Sequence, residues 1–121
     1  MLSSTTRMRR RQDFEFAVRK GRRMGGQLLT IYLAERERET VPPLIGFVVS
    51  RAVGIAVVRN RVRRRLRHVV RARAEQLPAG SLLVIRAKPR AADARQRDLA
   101  AELDLVLGKL LRRQVRALDR P

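Results

Sequence analysis

From Arg59 to Arg67 the chain reads RNRVRRRLR, with arginine at six of nine positions, and a run so charged has few ways to join a folded core. A helix is one of them. At about 100° per residue, Val58, Val62, Leu66 and Val69 fall on a single narrow stripe, the spacing of a helix laid on a core. Asn60, Arg63, Arg64, Arg67 and Arg71 then lie opposite that stripe, with Arg59, Arg61 and His68 on its flanks. Like charges at i, i+3 and i+4 repel by a few tenths of a kcal/mol per pair. No acid stands between Glu39 and Glu75 to relieve them in sequence. A dense polyanion is therefore the expected partner of this face. An ordinary solvated helix face mixes both signs of charge.

The rest of the composition supports this reading. With 121 residues and 45% hydrophobic content, the chain can bury one modest core despite a net charge of +18 and a pI near 12.0. Nucleic acid and acidic membrane are the anionic candidates. At eleven residues, Thr40 to Ser50, with two prolines, is as long as any uncharged stretch in the chain, short of the ~18 needed to span a bilayer. The start lacks an apolar signal region, and the chain has no cysteine, hence no disulfide, thiolate nucleophile or zinc cluster of thiolates. A cytoplasmic location and no membrane partner are the expectation.

The elements follow from periodicity and punctuation. Residues 1–11, with Arg7, Arg9, Arg10 and Arg11, read as a flexible basic arm, and residues 12–118 as one RNA-binding domain. A short helix from Gln12 to Lys20 places Phe14, Ala17 and Val18 on one side, with Gly21 as a left-handed cap. Arg22, Arg23, Gly25 and Gly26 read as a mobile connection. Leu28 to Ala34 is a strand with Leu29, Ile31 and Leu33 on one face and Leu28, Thr30 and Tyr32 on the other. The sign-alternating Glu35 to Glu39 makes a solvated hairpin loop into a second strand, Leu44 to Ser50, and a short third strand is allowed between Arg51 and Val57. After the basic helix, Leu77-Pro78-Ala79-Gly80 is a stop. The apolar run Ser81 to Lys88 then reads as a strand buried on both faces, and a last helix begins near Asp93 and runs toward Leu118, burying Leu99, Leu103, Val106, Leu107 and Leu110. The class is α+β, helices against a single small sheet.

Chemistry of its own is hard to find in this chain. His68 is the only histidine and has no acid near it in sequence. Asp98 and Glu102 share a helix face at i, i+4, but without a third ligand they read as solvated. Gly21, Gly25 and Gly26 match no phosphate loop. No catalytic residue and no metal site is expected, so reactive groups would come from a partner.

Residues 53–68, VGIAVVRNRVRRRLRH, resemble the signature of the bacterial ribonuclease P protein subunit in Gly54, Ala56-Val57, Arg59-Asn60-Arg61, Val62, Arg63-Arg64 and Arg67. The resemblance extends to Asp13-Phe14, Tyr32, Gly46 and Val49-Ser50. Three positions depart from the pattern: Ile55 stands for an asparagine, His68 for a glutamate and Val18 for an aromatic. The resemblance implies an αβββαβα order with a left-handed βαβ crossover, contrary to the general rule for such connections. It also implies a monomeric protein in a 1:1 ribonucleoprotein, whose large RNA cleaves with its own Mg²⁺ ions while the protein binds no cofactor. Arg59, Asn60, Arg61, Arg63, Arg64, Arg67 and Arg71 would then meet the catalytic RNA, with Arg7, Arg9, Arg10 and Arg11 assisting. A sheet cleft of Phe14, Val18, Tyr32 and Arg51 would hold the 5′ leader of precursor tRNA. The alternative is a structural RNA-binding protein of ribosomal type, with the basic helix but no part in a reaction.

Overall fold

A computed structural model describes residues 7–36 and 41–118. Helix α1 (Arg11–Lys20) is followed by strands β1 (Arg22–Gly25), β2 (Leu29–Glu35) and β3 (Leu44–Val48). Helix α2 (Ala56–Arg71), strand β4 (Ser81–Ala87) and helix α3 (Gln96–Leu118) complete the order. One sheet, β1-β2-β4-β3, is antiparallel except where β3 meets β4. The sequence of elements is thus αβββαβα, with β3, α2 and β4 forming the parallel crossover.

β4 sits between β2 and β3 with a ladder on each side, which explains its apolar run: a central strand covered by helices on both faces has no solvent side to supply. On one face Leu29, Ile31, Leu33, Ile45, Leu83 and Ile85 pack against Val62, Leu66 and Val69 of α2 and the five apolar residues foreseen for α3. The other face holds a smaller cluster of Met8, Ala17, Tyr32, Ala34, Leu82 and Val84, edged by Phe14, Leu44 and Val48. The alternation along β2 sorts its side chains between these two clusters.

Several expectations are corrected. The hairpin pairing of the Leu28–Ala34 and Leu44–Ser50 segments does not form, because β4 bonds to both and separates them; residues 37–40 of the intervening loop lie outside the described residues. The basic connection at Arg22–Gly25 is the sheet's edge strand, paired from Arg22 with Leu33 to Gly25 with Thr30, while residues 51–53 form a turn and not a strand. Gly21 is extended, at φ −76° and ψ 161°. Its lack of a side chain serves close approach instead, since a methyl group there would stand 2.3 Å from the Ala17 carbonyl oxygen and 3.1 Å from that of Leu33. Finally, the arm is anchored from residue 7 onward. Arg7 bridges to Ile45, the Met8 amide donates to the Ile45 carbonyl at 2.8 Å, Met8 is buried, and Arg11 already belongs to α1. Residues 1–6 lie outside the described residues.

Candidate RNA interface

The arginines of α2 divide by their angle around the helix axis. Arg61 and Arg65 turn toward the segment before α3, donating to the carbonyls of Ala92 at 3.3 Å and Ala94 at 2.7 Å. Just beyond the helix, Arg73 pairs with Asp104 of α3 and donates to the Val69 carbonyl at 2.7 Å. The hydrogen bond between Arg73 and Asp104 raises the Arg73 pKa and holds the Asp104 carboxyl below its ordinary value. These three guanidinium groups fasten α2 to its neighbours. Sequence spacing could not separate them from the outward-facing arginines, because Ala92, Ala94 and Asp104 lie far along the chain.

The rest face outward or toward α1. Asn60, Arg64 and Arg71 are exposed on the side away from the core, with His68 beside them. Arg63 and Arg67 are half-buried on the opposite flank from Arg61. Arg63 donates to Asn60 Oδ1 at 3.2 Å and to the Val49 carbonyl at 3.4 Å, which fixes the Asn60 amide beside its own charge. Arg7, Arg63 and Arg67 together line a cavity of about 130 Å³, walled by Met8, Phe14 and Gly46. No carboxylate lines it. Three cations at one small cavity suit an anion with several acceptor oxygens.

Phe14 links this cavity to the sheet. A methyl group on Gly46 would lie 2.5 Å from Phe14 Cε1 and Cζ, so the ring rests on β3 only because residue 46 is glycine. Val18, one turn on, is 47% exposed and continues the same side of α1. Arg51 is exposed on the turn that follows β3. Tyr32 departs from the expected cleft: it is 6% exposed, packed in the smaller cluster with the Arg23 guanidinium 6.0 Å from its ring centre. Its ring supports the floor of the face and presents almost no surface for stacking. The expected leader residues thus come together only in part, with Phe14 and Val18 accessible and Tyr32 beneath.

Arg9 and Arg10 are exposed before α1, and Arg11 pairs with Glu15 at 3.1 Å on the helix surface. Glu102, expected to face water, instead accepts from the amides of Gln27 at 2.8 Å, Leu28 at 2.9 Å and Leu29 at 2.6 Å. The tight β1–β2 connection leaves these amides outside the ladder, and a carboxylate reaching over from α3 satisfies them. Among the described residues no group of three or more histidine, aspartate or glutamate side chains could hold a metal ion. No described helix is long and apolar enough to cross a membrane.

The family model for ribonuclease P matches residues 2–111. A ribonuclease P protein component of Streptomyces griseus is 54% identical over 118 residues, covering 92% of this chain and 96% of that one. One from Acidothermus cellulolyticus is 50% identical over 110 residues, covering 91% and 92%. The ribonuclease P protein of Staphylococcus aureus superposes with a TM-score of 0.75 at 23% identity, over 85% of this chain and 93% of that one. The Thermotoga maritima protein does so at 0.71 and 22%, over 88% and 96%. At those identities the likeness is one of fold.

Proposed function

Since the chain belongs to the ribonuclease P protein family, we propose that it grips the catalytic RNA of the holoenzyme through α2 and holds the 5′ leader of precursor tRNA along α1 and β3. The observation that carries this is the convergence of Arg7, Arg63 and Arg67 on one acid-free cavity beside the Phe14 ring. A backbone phosphate seated there would have guanidinium groups on several sides, and the next unpaired base would find an aromatic face within a nucleotide's reach. Exposed Arg64, Arg71 and Asn60 extend the same basic surface outward. Arg59 joins it at the start of the helix, and Arg9, Arg10 and Arg51 at its margins.

The division of labour follows from what the described residues offer. Cleaving a phosphodiester needs an activated nucleophile and stabilisation of the developing charge. This surface supplies fixed positive charge, a stacking ring and amide hydrogen bonds, which bind and orient. The cutting is therefore assigned to the RNA with its own Mg²⁺ ions. A leader whose sequence varies between transcripts suits an aromatic face, because every base can stack on it. One protein per catalytic RNA and a cytoplasmic setting complete the proposal.

Cleavage of precursor tRNA by the cognate RNA at low Mg²⁺, with and without the protein, is the test. Stimulation that is larger for substrates carrying a leader is expected. A protein that binds the RNA without changing cleavage belongs instead with structural RNA-binding proteins.

A further inference from the structure

α1 crosses the smaller sheet face and leaves a groove on each side. Phe14 and Val18 belong to one side; Phe16 lies about 160° around the axis from Val18 and borders a separate cavity of about 740 Å³. Leu44 and Leu82 line that cavity, with Asp13, Arg10 and Arg36 at its polar edge. Phe16 is 40% exposed, an aromatic ring left uncovered on the side of α1 away from Val18. The Arg36 guanidinium donates to the Pro42 and Gly80 carbonyls, so its charge is held in place rather than swinging free. Arg10 is exposed.

Resting on the ribonucleoprotein reading above, we propose that this second groove takes one unpaired RNA base, stacked on Phe16 with its amino edge toward Asp13 and its phosphate toward Arg10. Charge complementarity selects the occupant: Arg10 and Arg36 line the same cavity as the ring on a chain of net charge +18, and nucleic acid supplies both the anion and the flat apolar face. Asp13 sets the orientation. A lone carboxylate repels phosphate but accepts from an exocyclic amino group, which adenine, cytosine and guanine carry and uracil lacks. The groove is thus selective by base edge, whereas stacking on Phe14 across the helix is tolerant.

The test uses the full chain and labelled eight-nucleotide oligo(A) and oligo(U), with binding read by fluorescence anisotropy at low salt. Phe16→Ala should weaken oligo(A) binding by about fivefold or more, and Phe16→Trp should keep it. Asp13→Asn should narrow the preference for oligo(A) over oligo(U). The same variants titrated with precursor tRNA, mature tRNA and catalytic RNA locate the base: loss confined to the precursor places it in the leader, and loss with the catalytic RNA alone places it there. Unchanged affinity of Phe16→Ala for every one of these RNAs overturns the groove. So does a large drop in its melting temperature, which would make Phe16 a core residue. Stimulation of cleavage by the unaltered protein is measured alongside: its absence strikes the ribonuclease P reading, whereas Phe16 insensitivity with stimulation intact strikes the groove alone.

Discussion

Single residues carry several of the constraints. At Gly46 the Phe14 ring occupies the space a side chain would need, so Gly46→Ala should cost about 1–3 kcal/mol and displace Phe14. Chemical denaturation and leader-dependent binding should fall together, and a variant of unchanged stability would show that the ring has somewhere else to go. Asp104 is a second case. Its pKa is lowered in the folded state by the hydrogen bond from Arg73, so the contribution is present above the unfolded carboxylate pKa and is lost as pH falls through the folded one. Because half the Asp104 side chain is exposed, the pair is worth at most about 1 kcal/mol. Asp104→Asn should lower the melting temperature slightly at pH 7 and leave it unchanged well below pH 4. Equal losses at both pH values would mean that packing, not charge, is what Asp104 provides. Gly26 and Gly46 were both visible as letters, but the side chain each admits, Glu102 and Phe14 respectively, comes from another element, which no local pattern discloses.

At the level of elements, α2 is where periodicity and the proposed function coincide. Replacing Arg63, Arg64 and Arg67 with glutamine should weaken assembly with the catalytic RNA. It should also flatten the dependence of log affinity on log salt by about 0.7–0.9 for each phosphate no longer engaged. A filter-binding series over salt checks this, and an unchanged slope would mean that these side chains do not meet phosphates. The same treatment of Arg65 or Arg73 should act on stability instead, since both are engaged within the fold. Helix α3 has a comparable hidden role through Glu102. Glu102→Gln keeps the shape but loses the charge that gathers three amides. A cost of about 1–3 kcal/mol and faster amide exchange at Gln27, Leu28 and Leu29 are expected; unaltered exchange would show the hairpin holds without the clamp. The apolar stripe of α3 was readable because it repeats every turn. The clamp was not, since its partners lie more than seventy residues away.

For the whole molecule, the distribution of charge dominates. With +18 at neutral pH, self-repulsion opposes compaction, and added salt screens it over about 10 Å at 0.1 M. The free protein should therefore melt at a higher temperature as NaCl rises from about 20 to about 300 mM, while its affinity for RNA falls over the same range. Thermal denaturation followed by circular dichroism checks the first half; a melting point indifferent to salt would mean the cations are already compensated. The fold class, the buried central strand, both longer helices and the basic face were legible in the sequence, because each depends on a period that repeats within one element. The resemblance carried by Arg59-Asn60-Arg61 and its neighbours supplied the family. What only the tertiary structure decided is which element stands beside which: that β4 parts β2 from β3, that Arg22–Gly25 closes the sheet's edge, that Tyr32 is buried in the floor of the face, and that Arg65 and Arg73 brace while Arg63 and Arg67 reach the cavity beside Phe14. Those outcomes depend on hydrogen bonds and packing between segments distant along the chain, and a local period carries no record of them.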